Sequence, residues 1–245
     1  MTVYFIGAGP GDPELITVKG QRLVRSCKVI LYAGSLVPDA VLNGHQAHIV
    51  NTANLDLDEI INLFSAAHSK GQDVARVHSG DPSLYSTISE QIRRIKLLEI
   101  PYEIIPGVTS TSACAAALGC ELTLPGITQT IILTRYARKT KISKYESLSA
   151  LSSHQATLAI HLSIRHLSSI VDDILPHYGE DCPVAVVYRA SWPDEISIIG
   201  TLSNIVSKIK CISIKRTALI LIGRVLDKEG FTDSTLYSRV ACKLS

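Results

Sequence analysis

Short unbroken apolar runs alternate along this chain with stretches in which apolar side chains recur every three or four positions. The first pattern reads as buried strands, the second as amphipathic helices facing a sheet. In the first half, runs at 3–6, 28–32, 48–50, 73–77 and 102–105 predict strands. Between them lie helical patterns: 15–24 with Leu15, Val18, Leu23 and Val24, a short one at 38–42, 55–71 with Ile60, Ile61, Leu63 and Phe64, 81–98, and the small-residue run 111–118. Asp81 and Pro82 suit the start of the 81–98 helix, because a carboxylate favours the positive end of the dipole and proline is tolerated at the first helical position. The second half predicts strands at 130–134, 156–161, 183–188, 195–200 and 218–223, with helices at 164–178 and 202–209. The strand at 195–200 follows so closely on 183–188 that the two pair antiparallel. The fold class is α/β in two domains: 1–122 with a mostly parallel sheet and 128–245 with a mixed one, parted by the break Glu121–Ile127 around Pro125 and Gly126. The tail after Asp227 is read as peripheral.

Glycine punctuates the strand ends. The first strand runs into Gly7-Ala8-Gly9-Pro10-Gly11-Asp12-Pro13, whose three glycines in five residues mean backbone angles a side chain forbids, or a backbone that something approaches closely. A dinucleotide fingerprint fails, because its third glycine falls on Asp12. A P-loop fails, because Asp12-Pro13-Glu14 offers no cation. The second strand ends in Ala33-Gly34-Ser35 without the acid that a ribose would need. The fourth strand runs into His78-Ser79-Gly80-Asp81-Pro82 and the fifth into Pro106-Gly107-Val108-Thr109-Ser110. In an α/β protein these are the positions where ligands bind.

Apolar residues make up 46% of the chain and charged ones 19%, a balance that buried parallel strands explain. A net charge of +2 gives no general reason to invoke nucleic acid or membrane; any basic patch is local, and Arg135–Lys144, with Arg135, Arg138, Lys139, Lys141 and Lys144, is the strongest. The six cysteines form no Cys-x-x-Cys and no zinc spacing, and read as reduced thiols. With no charged leader and no run of apolar residues long enough to span a bilayer, the expected location is cytoplasmic.

Together, GAGPGDPELIT at 7–17, YAGSLV at 32–37, HSGDPSLY at 78–85, PGVTS at 106–110, ELTLPGITQTIILTR at 121–135, TLAIHLS at 157–163 and VVYRASWPDE at 186–195 resemble the tetrapyrrole methylase family over nearly the whole chain. YAGS, TQTIILTR and ASWPDE look like its branch acting on C11 of precorrin-4 in cobalamin synthesis. The resemblance implies two α/β domains with a cleft between them, a homodimer, and methyl transfer from S-adenosylmethionine (SAM), without a metal, to a carbon of a reduced tetrapyrrole. It implies cofactor contacts at Pro10, Ser79, Gly80, Asp81, Leu84, Thr109, Ser110, Leu162, Ala190 and Ala218, with Leu162 and Ala190 standing where relatives often have methionine and glycine. Substrate contacts fall on Gly9, Gly11, Ser35, Arg135, Arg138 and Arg189.

Residue chemistry points the same way. SAM needs polar backbone at turns and an apolar wall for adenine, and a substrate rich in carboxylates needs cations and helix amino ends, with Arg135, Arg138, Lys139, Arg189 and His78 as candidates. Asp12, His78 and Tyr32 are the candidates to assist proton loss. Rival readings are a sibling acting on another carbon, the cobalt-containing version of the same reaction, a noncatalytic tetrapyrrole binder, and a methylase of the same fold acting on a protein.

Overall fold

A computed structural model describes residues 1–44, 46–136, 143–212, 214–227 and 230–234; Arg138, Lys139 and Lys141 of the basic stretch lie outside the described residues. The chain divides into two units, Met1–Ala113 with Ser191–Asp194, and Cys114–Ala190 with Glu195–Ser245.

The first unit contains β1 (Val3–Gly7), α1 (Val18–Ser26), β2 (Val29–Tyr32), α2 (Asp39–Leu42), β3 (His48–Asn51), α3 (Leu57–Ser69), β4 (Val74–His78), α4 (Ile88–Leu97), β5 (Tyr102–Ile105) and the start of α5 (Ser110–Leu118). The sheet order is β3-β2-β4-β1-β5 and every pairing is parallel, so all five carboxyl ends share one edge. Ile6, Ile30, Ala75, Val77 and Ile105 pack on one face with Val24 of α1 and Val41 and Leu42 of α2. Phe5, Leu31 and Val74 pack on the other with Phe64 of α3 and Ile88 and Ile95 of α4. Helices on both faces are why β1 and β2 read as unbroken apolar runs, while β4 carries Arg76 and His78 on its Val74 face. The chain leaves β1 past β4 to reach β2, and leaves β4 past β1 to reach β5. Neighbouring β1 and β4 thus send their crossovers in opposite directions, which makes their shared end the switch point where such folds bind ligands.

Four helices start three or more residues later than the sequence suggests: those opening at Val18, Leu167 and Ile205 by three, and α4 by seven. α4 begins at Ile88, not at Asp81–Pro82, because residues 81–87 form turns in which Tyr85 (φ 55°) and Thr87 (φ 53°) are left-handed. The Asp81 carboxylate is not capping a helix; it is occupied by its own turn and by the loop after β5.

The second unit contains β6 (Ile131–Arg135), α6 (Leu148–Ser152), β7 (Thr157–His161), α7 (Leu167–Tyr178), β8 (Pro183–Tyr188), β9 (Ile196–Thr201), α8 (Ile205–Lys210) and β10 (Ala218–Ile222). The sheet order is β6-β7-β10-β8-β9, with β6 parallel to β7 and the other pairs antiparallel, the mixed sheet expected from sequence. Because β10 runs against both β7 and β8, the carboxyl ends of β6, β7 and β8 share one edge with the start of β10. Leu158, Ile160, Val184, Val186, Ile220 and Ile222 form the core with Ile170 and Ile174 of α7 and Ile205 and Ile209 of α8. Among the described residues, no helix is long and apolar enough to cross a membrane.

Candidate active site

In the first unit the three glycine turns interlock at the switch point. Gly9 and Gly80 form a two-residue antiparallel bridge, with Gly80 N–H donating to Gly9 O at 2.7 Å and Gly9 N–H to Gly80 O at 3.3 Å. A Cβ on Gly107 would lie 2.2 Å from Gly80 O and 2.8 Å from Gly7 Cα, and one on Gly7 would lie 2.6 Å from the same carbonyl. The loops after β1, β4 and β5 are therefore stacked backbone on backbone, which no side chain would permit. Asp81 ties the last two together: its carboxylate accepts from Gly107 N–H at 2.8 Å, from Ser83 N–H at 2.7 Å and from the Ser83 hydroxyl. Burial works against ionisation of this carboxyl, but those donors outweigh it and hold the group below the usual carboxylate range.

Gly11 is a glycine for a reason the sequence did not disclose. The body that approaches its backbone is the Trp192 indole, whose Cδ1 would lie 2.1 Å from a Cβ at position 11. Trp192 Nε1–H donates to Pro10 O at 2.8 Å, and the Ser191 hydroxyl accepts from Asp12 N–H at 2.9 Å. Gly9, Pro10 and Gly11 are buried in consequence. Asp12 is half-buried and its carboxylate accepts from Glu14 N–H at 2.8 Å, fixing the short turn Pro13–Leu15. Tyr32, at the end of β2, is half-buried, and its carbonyl accepts from the Thr52 hydroxyl at 2.9 Å. Ser35 lies in the turn Gly34–Leu36 that follows. Ser79, Gly80 and Leu84 are half-buried along the loop after β4. Thr109 precedes α5, where its hydroxyl accepts from Ser112 N–H at 3.2 Å, and Ser110 opens that helix.

His78 does not fit the base or cation roles expected of it. It is the last residue of β4, on the same face as Val74 and Arg76, and only 3% exposed. Its ring centroid lies 6.1 Å from that of Phe5, and Nε2 makes no hydrogen bond among the described residues. Burial first and the Arg76 charge second push the imidazole down to about 3, so at neutral pH it is uncharged and enclosed. Arg76 itself is buried against neutral partners, donating to Gln91 Oε1 at 3.1 Å and Thr52 Oγ1 at 2.8 Å.

The second unit gathers the other predicted residues at its shared edge. Arg135 ends β6 in register with His161, Leu162 follows β7, Arg189 and Ala190 follow β8, and Ala218 opens β10 opposite Tyr188. Three non-glycine residues here hold left-handed backbone, Leu162 (φ 55°), Arg189 (φ 47°) and Thr217 (φ 57°), as does Ser191 (φ 67°) where the chain returns to the first unit, and Arg189 N–H donates to Thr217 O at 2.9 Å. Such conformations cost of order 1–3 kcal/mol each and persist only where the surrounding structure holds them. Leu162 is 70% exposed, so a large apolar side chain is held outward at that cost. His161 beside it is buried, and burial pushes its imidazole down to about 4. Arg138 lies outside the described residues. Among the described residues, no group of three His, Cys, Asp or Glu is placed to hold a metal ion.

Residue-by-residue reading missed Ser191, Trp192 and Thr217 as parts of these edges. A lone tryptophan in a Pro-Asp turn directly after a strand was the available signal for the first two. Thr217 carries none.

A family model described as tetrapyrrole (corrin/porphyrin) methylases matches residues 2–206. A precorrin-4 C(11)-methyltransferase of Pseudomonas aeruginosa is 66% identical over 238 residues, 97% of this chain and 95% of the relative. Among solved structures, a cobalt precorrin-4 methyltransferase superposes with a TM-score of 0.90 at 40% identity, covering 92% of this chain and 96% of the other. A uroporphyrin-III C-methyltransferase from Thermus thermophilus, solved with S-adenosylhomocysteine, superposes with a TM-score of 0.77 at 26% identity, covering 94% of this chain and 100% of the other.

Proposed function

Because the chain belongs to the tetrapyrrole (corrin/porphyrin) methylase family, we propose that it transfers the methyl group of SAM to C11 of precorrin-4, yielding precorrin-5 in cobalamin biosynthesis. The structural observation that carries this reading is Leu162, an exposed apolar side chain on strained backbone at the strand edge where the small residues Ala190 and Ala218 also stand. That combination suits the flat apolar face of an adenine. The polar half of the cofactor is suited by the loop after β4: beside Gly80, where a Cβ would project, the nearest backbone atom is Val108 O at 3.9 Å, so the turn is open to a ligand on that side. Thr109 and Ser110 stand at the amino end of α5, where backbone N–H groups favour a carboxylate such as the one on SAM. In this reading Pro10, Ser79, Gly80, Asp81, Leu84, Thr109, Ser110, Leu162, Ala190 and Ala218 hold the cofactor. Gly9, Gly11, Ser35, Arg135, Arg138 and Arg189 meet the tetrapyrrole, the arginines pairing with its carboxylates.

SAM, when bound, supplies a methyl group on a cationic sulfur that leaves as a neutral thioether and needs no acid. The protein's work is then orientation, which for well-placed partners is worth about 7–11 kcal/mol. The turns assigned to that work are the interlocked glycine loops, whose backbone is fixed before any ligand arrives. Asp12 and Tyr32 are left to assist proton loss from the substrate. Asp12→Asn tests the first: unchanged turnover with cofactor binding intact removes Asp12 from the mechanism.

Exposed Ile131 and Leu133 on edge strand β6 and Ile199 on edge strand β9 support the homodimer that belongs to the same reading. The cytoplasm, where reduced substrate and SAM are both present, is the location it requires. The deciding experiment incubates the protein with SAM and precorrin-4, with and without cobalt, and locates the added methyl by mass and NMR. Methylation of the metal-free compound at C11 is expected. Methylation of the cobalt form alone moves the chain to the cobalt reading; a methyl at another carbon overturns both.

A further inference from the structure

The chain has one tryptophan, and methyl transfer gives it no task. We infer that Ser191 and Trp192 form a two-point clamp that fixes the glycine loop 9–12 in the shape the tetrapyrrole meets, Trp192 being a positioning residue; this rests on the methyltransferase reading above.

The loop's upstream half is held by the sheet: Ala8 N–H donates to His78 O at 2.8 Å and Gly9 is bridged to Gly80. Its downstream half is held from the β8–β9 turn. The indole N–H takes the Pro10 carbonyl at 2.8 Å and the Ser191 hydroxyl takes the Asp12 amide at 2.9 Å, one bond on each side of Gly11. Between the two bonds the ring edge lies against Gly11 so closely that no other residue fits. The turn that delivers these groups is itself under strain at Arg189 and Ser191, and a proline at 193 disfavours helical backbone at Trp192. Strain on the presenting turn, a glycine cut to fit the ring, and two hydrogen bonds flanking it are what a positioning device requires. Simple core packing would need none of the three.

The test uses the full chain, with kcat and KM for precorrin-4, calorimetric affinity for S-adenosylhomocysteine, and the emission of Trp192 itself. Trp192→Phe keeps an aromatic side chain but removes the N–H together with the five-membered ring that lies on Gly11; Ser191→Ala removes the hydroxyl. Each should lower kcat/KM for the tetrapyrrole by about fivefold to tenfold, the scale of one net hydrogen bond, with a smaller fall in affinity for S-adenosylhomocysteine, since Pro10 alone of this loop is assigned to the cofactor. Gly11→Ala should cost about a hundredfold in the parent chain, as a loop displaced by about an ångström does, yet add almost nothing in a Trp192→Ala background. It should also expose Trp192 to acrylamide quenching. The clamp is overturned if Trp192→Phe and Ser191→Ala turn over like the parent, if Gly11→Ala costs the same in both backgrounds, if affinity for S-adenosylhomocysteine falls in step with kcat/KM, or if quenching is unchanged. Should the parent chain methylate no tetrapyrrole, the methyltransferase reading fails on its own, and the quenching result still decides whether Trp192 holds the loop.

Discussion

Gly107→Ala places a methyl group against backbone that cannot turn aside. Its Cβ would sit 2.2 Å from Gly80 O, 2.8 Å from Gly7 Cα and 3.0 Å from Gly7 C. Carbon needs about 3.5 Å from such atoms, so the loops after β4 and β5 must part by about 1 Å. A parting of that size stretches the Gly9–Gly80 bridge, at 2.7 and 3.3 Å, and the Gly107–Asp81 bond, at 2.8 Å, out of hydrogen-bond range. Losing two of these at about 1 kcal/mol each, on top of about 1–3 kcal/mol for overpacking, gives a loss of about 3–5 kcal/mol. For a chain of this size that lowers Tm by roughly 10 °C. The control is Gly71→Ala: φ is +63° there but nothing lies within 4 Å, so only the left-handed backbone cost of about 1–2 kcal/mol applies. Scanning calorimetry on both variants, with urea titration to check that the m-value is unchanged, separates the two cases. If Gly107→Ala melts no lower than Gly71→Ala, the interlocked turns are not as tight as described and the reasoning fails.

Other outcomes follow from single side chains. The Asp81 carboxyl is more acidic folded than unfolded, so its contribution is present above the unfolded pKa and is lost as pH falls through the folded one; Asp81→Asn should be less stable than the parent at pH 7, with the difference closing in acid. His78 stays neutral in the fold down to about 3 but takes up a proton near 6.5 when unfolded, so the parent loses stability as pH falls across that interval. His78→Phe should remove part of that slope in urea titrations at several pH values, leaving the share that buried His161 contributes; an unchanged slope refutes the assignment. Leu162→Gly should relieve backbone strain and leave Tm no lower than the parent's, while affinity for S-adenosylhomocysteine drops about tenfold, the worth of one leucine face buried on a ligand. Unaltered affinity would take Leu162 out of the cofactor site.

What could be read ahead of the structure was whatever a local pattern encodes. Continuous apolar runs announced a sheet covered on both faces, and glycines after β1, β4 and β5 marked the edge where the loops crowd together. The start of α4 is not legible locally, because the partner that draws Asp81 away from a helix cap is Gly107, 26 residues on. The apolar pattern ends the fourth strand at Val77 and leaves His78 to the turn; β4 runs one residue further, and that residue falls on the face with Val74 and Arg76, inside the core. The left-handed backbone at Leu162, Arg189, Ser191 and Thr217 has no signature in residue type, since none of the four is a glycine or an asparagine. Gly11 was flagged correctly as a point of close approach, but its neighbour lies far along the chain, and composition cannot name it.

The pairing of Pro10 with Trp192 across 182 residues also sets a timetable for synthesis. At about 5–20 residues per second, a ribosome delivers the indole roughly 10–40 s after the loop it grips has emerged. Until then the glycine loop after β1 lacks its bonds to Ser191 and Trp192, and a nascent chain halted anywhere before Ser191 keeps that loop in the same unfinished condition. Genetic truncation at Ala113, tempting because the first sheet is complete there, would therefore yield a unit missing the four residues that return to it from Ser191 to Asp194.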